Sequence, residues 1–129
     1  MSSPKLLIVD DDSGIRAQLK WGFDAYDVIT ADSRAKAIEQ FEANKPALVT
    51  LDLGLPPDVE GTSEGFAILH AILERAPETK VIVVSGSDET INSREAIKNG
   101  AFDFYPKPIN IDRLKALLDK AYIEYLANK

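Results

Sequence analysis

The sequence predicts a doubly wound α/β fold, a five-stranded parallel sheet with helices on both faces, and two observations carry that prediction. Five short apolar runs, mostly rich in branched or aromatic residues, recur along the chain, and a segment with helix signals follows each one. Short, continuously apolar runs suit strands covered on both faces. Strict alternation of strand and helix favours right-handed crossovers and hence parallel strands.

In chain order, KLLIV at 5–9 is the first predicted strand, and Ser13 is a candidate N-cap of a helix over 13–24. YDVIT at 26–30 is the second, followed by a helix over 33–43 with Ser33 as its cap. ALVTL at 47–51 is the third; a turn-rich loop, GLPPDVEGTSEG at 54–65, then leads into a helix over 64–76. KVIVV at 80–84 is the fourth, and the helix over 88–99 has Asp88 as its expected cap and Asn99-Gly100 as its stop. AFDFY at 101–105 is the fifth, and leucines near i, i+3 and i+4 spacing predict a helix over 110–127. No internal repeat, low-complexity tract or linker divides this pattern.

Composition narrows the function classes. The 129 residues are 45% hydrophobic and 28% charged, which suits one globular domain over 1–129 with a single core. Fifteen Lys+Arg against 21 Asp+Glu give a net charge of -6, which argues against a nucleic-acid footprint on this domain. Cysteine is absent, so disulfides, thiolate metal sites and cysteine nucleophiles are excluded. The opening MSSPK has no apolar signal region, and no run approaches the roughly 18 apolar residues of a membrane span. The expectation is a soluble, cytoplasmic protein.

In doubly wound folds ligands bind beyond the carboxyl ends of the strands. The predicted tips carry Asp10-Asp11-Asp12, Asp52, Ser85 and Lys107. Converging carboxylates repel one another and call for a cation, and an all-oxygen set without His or Cys suits a hard ion such as Mg²⁺. A hydroxyl and an ammonium facing that ion would complete a cage for a phosphoryl group, with Asp52 as nucleophile. Asp12 is one acid more than such a site needs, and helix capping is its alternative role.

Four stretches, LLIVDDDSGIR, LVTLDLGLP, VIVVSGS and GAFDFYPKP, resemble in order the motifs of bacterial response regulator receiver domains. The resemblance implies the flavodoxin-like receiver fold, and a phosphorelay in which Asp52 takes phosphate from a histidine kinase. It implies Mg²⁺ on Asp11, Asp52 and the Gly54 carbonyl, with Asp10 holding a metal-bound water. It implies further that Ser85 meets the phosphoryl oxygen, Lys107 the carboxylate or phosphate, and Phe104 acts as an aromatic switch. A symmetric dimer through the 88–99 and 110–127 helices follows from the same likeness. Ile111, Leu114, Leu118, Ala121, Tyr122 and Tyr125 are expected to leave surplus apolar surface there. More narrowly, LKWGFDAYDVITADSR, VTLDLGLPPDVEGTSEG and GAFDFYPKP resemble receivers of exosortase- and exopolysaccharide-associated transcriptional regulators.

Three departures from the family pattern matter. The loop after Asp52 is several residues longer than usual, Gly54 leaves empty a position that elsewhere shields or directs hydrolytic water, and Ser85 replaces the commoner Thr. Two other readings compete. A haloacid dehalogenase-like phosphatase would use Asp10 and Asp12 but leave Asp52 unexplained. A phosphate-independent interaction module should have lost the Asp, Ser/Thr or Lys that this chain keeps. The single histidine, His70, lies among apolar helix residues with no partner acid or serine, and is expected to be a surface or boundary residue.

Overall fold

The computed structural model describes residues 3–86 and 89–128. Its elements are β1 (Lys5–Val9), α1 (Ser13–Gly22), β2 (Asp27–Ala31), α2 (Arg34–Asn44), β3 (Leu48–Asp52), α3 (Ser63–Arg75), β4 (Lys80–Ser85), α4 (Glu89–Lys98), β5 (Asp103–Pro106) and α5 (Ile111–Ala127). All strand pairs are parallel and the order is β2-β1-β3-β4-β5. The chain reverses its direction of winding between β1 and β3, the place where this strand order leaves a crevice for ligands.

Alternate residues of the central strands feed two cores. Leu7, Val9, Val49, Leu51, Val81 and Val83 pack under α2, α3 and α4 through Phe41, Ile68, Ile72 and Ala96. Leu6, Ile8, Leu48, Ile82 and Val84 pack under α1 and α5 through Leu19, Phe23, Leu114 and Leu118. Burial on both faces explains why the strands read as unbroken apolar runs rather than alternating ones.

Several boundaries differ from the sequence expectation for identifiable reasons. Of the two candidate caps of α1, Asp12 takes the role, as its alternative reading has it: its Oδ1 accepts from Gly14 N at 2.8 Å and Ile15 N at 3.2 Å, placing Ser13 inside the first turn. Ser33 does cap α2, accepting from Lys36 N. Tyr26 lies in a turn closed by its N–H on the Phe23 carbonyl, so β2 starts one residue later. Asn110 caps α5 through a 3.0 Å bond from Arg113 N.

The Asn99-Gly100 stop is a Schellman closure, with Gly100 N on the Ile97 carbonyl, Ala101 N on the Ala96 carbonyl, and Gly100 at φ 101°. Ala101 therefore belongs to the capping turn after α4, and β5 begins at Asp103. Asp88, the expected cap of α4, lies outside the described residues. Strands β3 and β4 each run one residue further than their apolar runs, so Asp52 and Ser85 are terminal strand residues.

On α5, Tyr122 and Tyr125 pack against the core and stack on each other at 6.1 Å, contrary to the expectation that they supply surplus surface. The exposed large apolar residues of that helix are Ile123 and Leu126.

Candidate functional site

The ends of β1, β3, β4 and β5 meet at a cavity of about 410 Å³ lined by Asp11, Asp52, Gly54, Ser85 and Lys107, with Val59, Glu60, Gly61 and Gly86. A cavity of about 470 Å³ at the opposite end of the sheet is lined by Phe41, Lys45, Arg75 and Tyr125, and no cluster of carboxylates converges there among the described residues.

Parallel register places the acids. Val9 of β1 pairs with Leu51 of β3, so Asp10 and Asp52 leave adjacent strands at the same level. Asp10 is buried and every polar group it presents is engaged. Its Oδ1 accepts from Asp12 N at 2.9 Å, its carbonyl accepts from Arg16 Nη1 at 2.8 Å, and its Oδ2 faces Lys107 Nζ at 3.0 Å. Asp52 is 8% exposed; its Oδ1 accepts from Gly54 N at 3.3 Å and its Oδ2 stands 3.6 Å from Lys107 Nζ. Carboxylate oxygens of Asp10, Asp11 and Asp52 lie within 4.8 Å of one another, while Asp11 stays exposed. Asp12 turns away to cap α1.

The electrostatics follow from burial and crowding. Burial, with Asp10 and more weakly Asp11 adding repulsion, pushes the Asp52 carboxyl up to about 6, against the opposing pull of Lys107 and the Gly54 amide. Burial alone would lower the Lys107 ammonium, but Asp52 and Asp10 outweigh it and hold Lys107 above its ordinary value. Three carboxylates facing one ammonium form an all-oxygen donor set with excess negative charge, which fits a hard divalent cation.

Ser85, buried at the tip of β4, lines the same cavity. Phe104 is half-buried on β5 and packs against the α2–α4 core. His70 is an exposed residue of α3 paired with Asn99 Oδ1 at 2.9 Å, remote in role from the cavity. Gly54 is not beside empty space: a Cβ there would overlap the Val59 carbonyl oxygen. The longer loop fills the place that the sequence leaves vacant. Sequence reasoning missed Arg16, Val59 and Glu60. Arg16 closes the LLIVDDDSGIR stretch one helical turn after the cap, but only the folded chain brings its guanidinium to the Asp10 carbonyl, and the loop residues have no periodicity to reveal where they fold.

The description "response regulator receiver domain" matches residues 6–119 as a family. The chain belongs to that family. This receiver is 34% identical over 114 residues to the transcriptional regulatory protein KdpE of Staphylococcus aureus, covering 87% of this chain and 47% of KdpE. It is 35% identical over 120 residues to the chemotaxis protein CheY of Listeria monocytogenes, covering 91% of this chain and 97% of CheY.

Among solved structures, NtrX from Brucella abortus superposes with a TM-score of 0.89 at 28% identity, over 98% of this chain and 28% of that one. A response regulator receiver domain protein from Clostridium thermocellum superposes at 0.88 with 27% identity, over 98% of this chain and 99% of that one. The receiver thus spans about half of KdpE, little more than a quarter of NtrX and nearly all of CheY. It is a receiver domain of two-component response regulators, with the flavodoxin-like receiver fold. Among the described residues, no helix is long and apolar enough to cross a membrane.

Proposed function

We propose that Asp52 is the phosphoacceptor of this receiver and takes its phosphoryl group from the phosphohistidine of a histidine kinase. The observation that carries this reading is Lys107 Nζ, 3.0 Å from Asp10 and 3.6 Å from Asp52, at the edge of the three-carboxylate cluster. A carboxylate with a carboxyl group near 6 is mostly ionised at neutral pH and so is competent as a nucleophile. An Asp52 oxygen bonds to phosphorus, the bond from phosphorus to the donor imidazole breaks, and its electron pair leaves with the imidazole. Lys107 offsets charge in a loose, roughly in-line transition state, and Ser85 donates to a phosphoryl oxygen.

Asp11, Asp52 and the Gly54 carbonyl would hold Mg²⁺. Both Asp10 oxygens already have partners, which suits Asp10 to a metal-bound water. When bound, the ion relieves carboxylate repulsion and polarises the phosphoryl oxygens.

Residues 1–129 act in this reading as one receiver unit in the cytoplasm, with no catalysis beyond self-phosphorylation and slow autodephosphorylation. The domain itself makes no nucleic-acid contact, a view supported by its net charge of -6. Phosphate draws Ser85 inward and lets Phe104 rotate, changing a symmetric dimer surface on α4 and α5. Exposed Ile91 and Ile97 on α4, with Ile123 and Leu126 on α5, support that surface. The likeness to receivers of exosortase- and exopolysaccharide-associated regulators, resting on the three sequence stretches quoted above, makes the output transcriptional.

Incubation with acetyl phosphate and Mg²⁺, read by intact mass, tests the assignment. One phosphoryl group is expected on the wild type and none on Asp52→Asn. Labelling of Asp52→Asn at the wild-type level would overturn it.

A further inference from the structure

The segment between β3 and α3 is a folded cap on the phosphoacceptor cavity. Two turns shape it: Asp58 N donates to the Leu55 carbonyl at 2.8 Å, and Gly61 N to the Asp58 carbonyl at 3.1 Å. Buried Leu55 anchors one side, and the Asp58 carboxylate ties the other to α3 by accepting from Ser63 Oγ at 2.7 Å and Ser63 N at 3.4 Å. The loop can roll back this far because residue 54 has no Cβ; the Val59 carbonyl occupies that space, with the Gly61 carbonyl 3.7 Å from the same point. This seat brings Glu60 into the wall of the cavity that holds Asp11, Asp52, Ser85 and Lys107. Glu60 is exposed and stands outside the converging set of Asp10, Asp11 and Asp52, so it is the carboxylate of that wall left over from ion and lysine binding.

Water that hydrolyses an acyl phosphate on Asp52 must approach phosphorus from the side opposite the Asp52 oxygen. Asp52 is buried and Glu60 exposed in the lining of the same cavity, so Glu60 stands on the solvent side from which that water comes. We propose that Glu60, held there by the loop seated on Gly54, is the general base for hydrolysis of phosphorylated Asp52, and that the 55–62 loop thereby sets the phosphoryl lifetime. The water oxygen bonds to phosphorus as the bond from phosphorus to the Asp52 oxygen breaks. The electron pair returns to the Asp52 carboxylate, and a water proton passes to Glu60 and then to solvent. The inference rests on Asp52 being the phosphoacceptor.

The test is to phosphorylate the full chain with acetyl phosphate and Mg²⁺, remove the donor, and follow phosphate release and intact mass. Positioned bases contribute about 10²–10⁴-fold, and an exposed carboxylate belongs below that range, so Glu60→Gln should lengthen the half-life about tenfold. Its rate of phosphoryl uptake should change less than about twofold on the same argument. Glu60→Ala should decay equally slowly, and added formate should speed its decay but not that of the wild type, a rescue that a merely structural role would not show. Gly54→Ala, which unseats the loop, should also slow decay. Normal uptake with wild-type decay in Glu60→Gln, or no formate rescue of Glu60→Ala, overturns the role of Glu60 alone. Failure of the wild type to take phosphate on Asp52 overturns the phosphoacceptor reading and this inference with it.

Discussion

The β1–α1 and β3–α3 links each carry an aspartate from a strand tip to the cavity, but they use very different lengths of chain. Residues 10–12 go directly from strand to helix: Asp10 meets Lys107, Asp11 joins the carboxylate cluster, and Asp12 caps α1. Residues 53–62 turn twice before α3 starts, and Thr62 at its N-cap makes no side-chain bond; Asp58 ties Ser63, the first residue of α3, to the loop instead. A short link positions groups by local geometry alone. A long one needs tertiary seats, here Gly54 under Val59 and Gly65 against Leu53.

The largest effect should come from filling a seat. A Cβ at Gly65 would lie 2.5 Å from Leu53 Cα and 2.9 Å from its carbonyl oxygen, main-chain atoms that cannot step aside. Gly65→Ala should therefore cost about 2–3 kcal/mol in urea unfolding, seen as a lower midpoint at constant slope. The matching change in the short link, Gly14→Ala, meets the Asp12 Oδ1 side-chain atom at 3.1 Å and should stay within about 0.5 kcal/mol of the wild type. Equal losses in the two variants would erase the contrast.

Next in size is the pH dependence of the site where the links meet. With Asp52 near 6 folded and 3.8 as its ordinary value, the native state holds the extra proton between these values. Without divalent cations, unfolding free energy should therefore fall by about 2–3 kcal/mol as pH rises from about 4 to about 6, and stay lower above that window. Asp52→Asn should remove this decline, and saturating Mg²⁺ should flatten it by favouring the carboxylate. A wild-type profile unchanged in Asp52→Asn would show that the decline arises elsewhere.

Smaller effects separate the two capping solutions. Asp12→Ala should cost about 1 kcal/mol, the usual loss of an N-cap, with little change in amide exchange at 58–61. Asp58→Ala should cost a comparable amount but speed exchange of the Asp58 and Gly61 amides, which close the two turns. Smallest is a gain beneath the site. Thr50 Oγ1 is buried without a hydrogen-bond partner, beside Ile8 and Ile82 in register, so Thr50→Val should raise stability by about 0.5–1 kcal/mol. A loss of stability would mean the hydroxyl has a partner in solution.

The same contrast explains what was legible in the chain. The strands were readable because both faces are buried, so apolar runs and sheet coincide to within one or two residues. Asp10, Asp11, Asp52, Ser85 and Lys107 were readable because a parallel sheet brings its carboxyl ends together, and a residue just beyond or at a strand tip inherits that position. Their convergence at the strand ends needed only the strand order. The sequence leaves the cap of α1 open between Asp12 and Ser13 because Asp and Ser are both good caps, and only the backbone angles decide between neighbours; Asp12 has the extended backbone of a cap.

Sequence by itself determined the α/β class, the acid–hydroxyl–lysine set and the length of the loop after Asp52, since each depends on periodicity or on position relative to a strand. Tertiary structure alone decided which way Tyr122 and Tyr125 face, that the Val59 carbonyl fills the space above Gly54, and that Glu60 reaches the cavity. Those outcomes depend on contacts between segments whose meeting leaves no periodic trace: a glycine records that a side chain is absent, and only the folded chain shows what stands in its place.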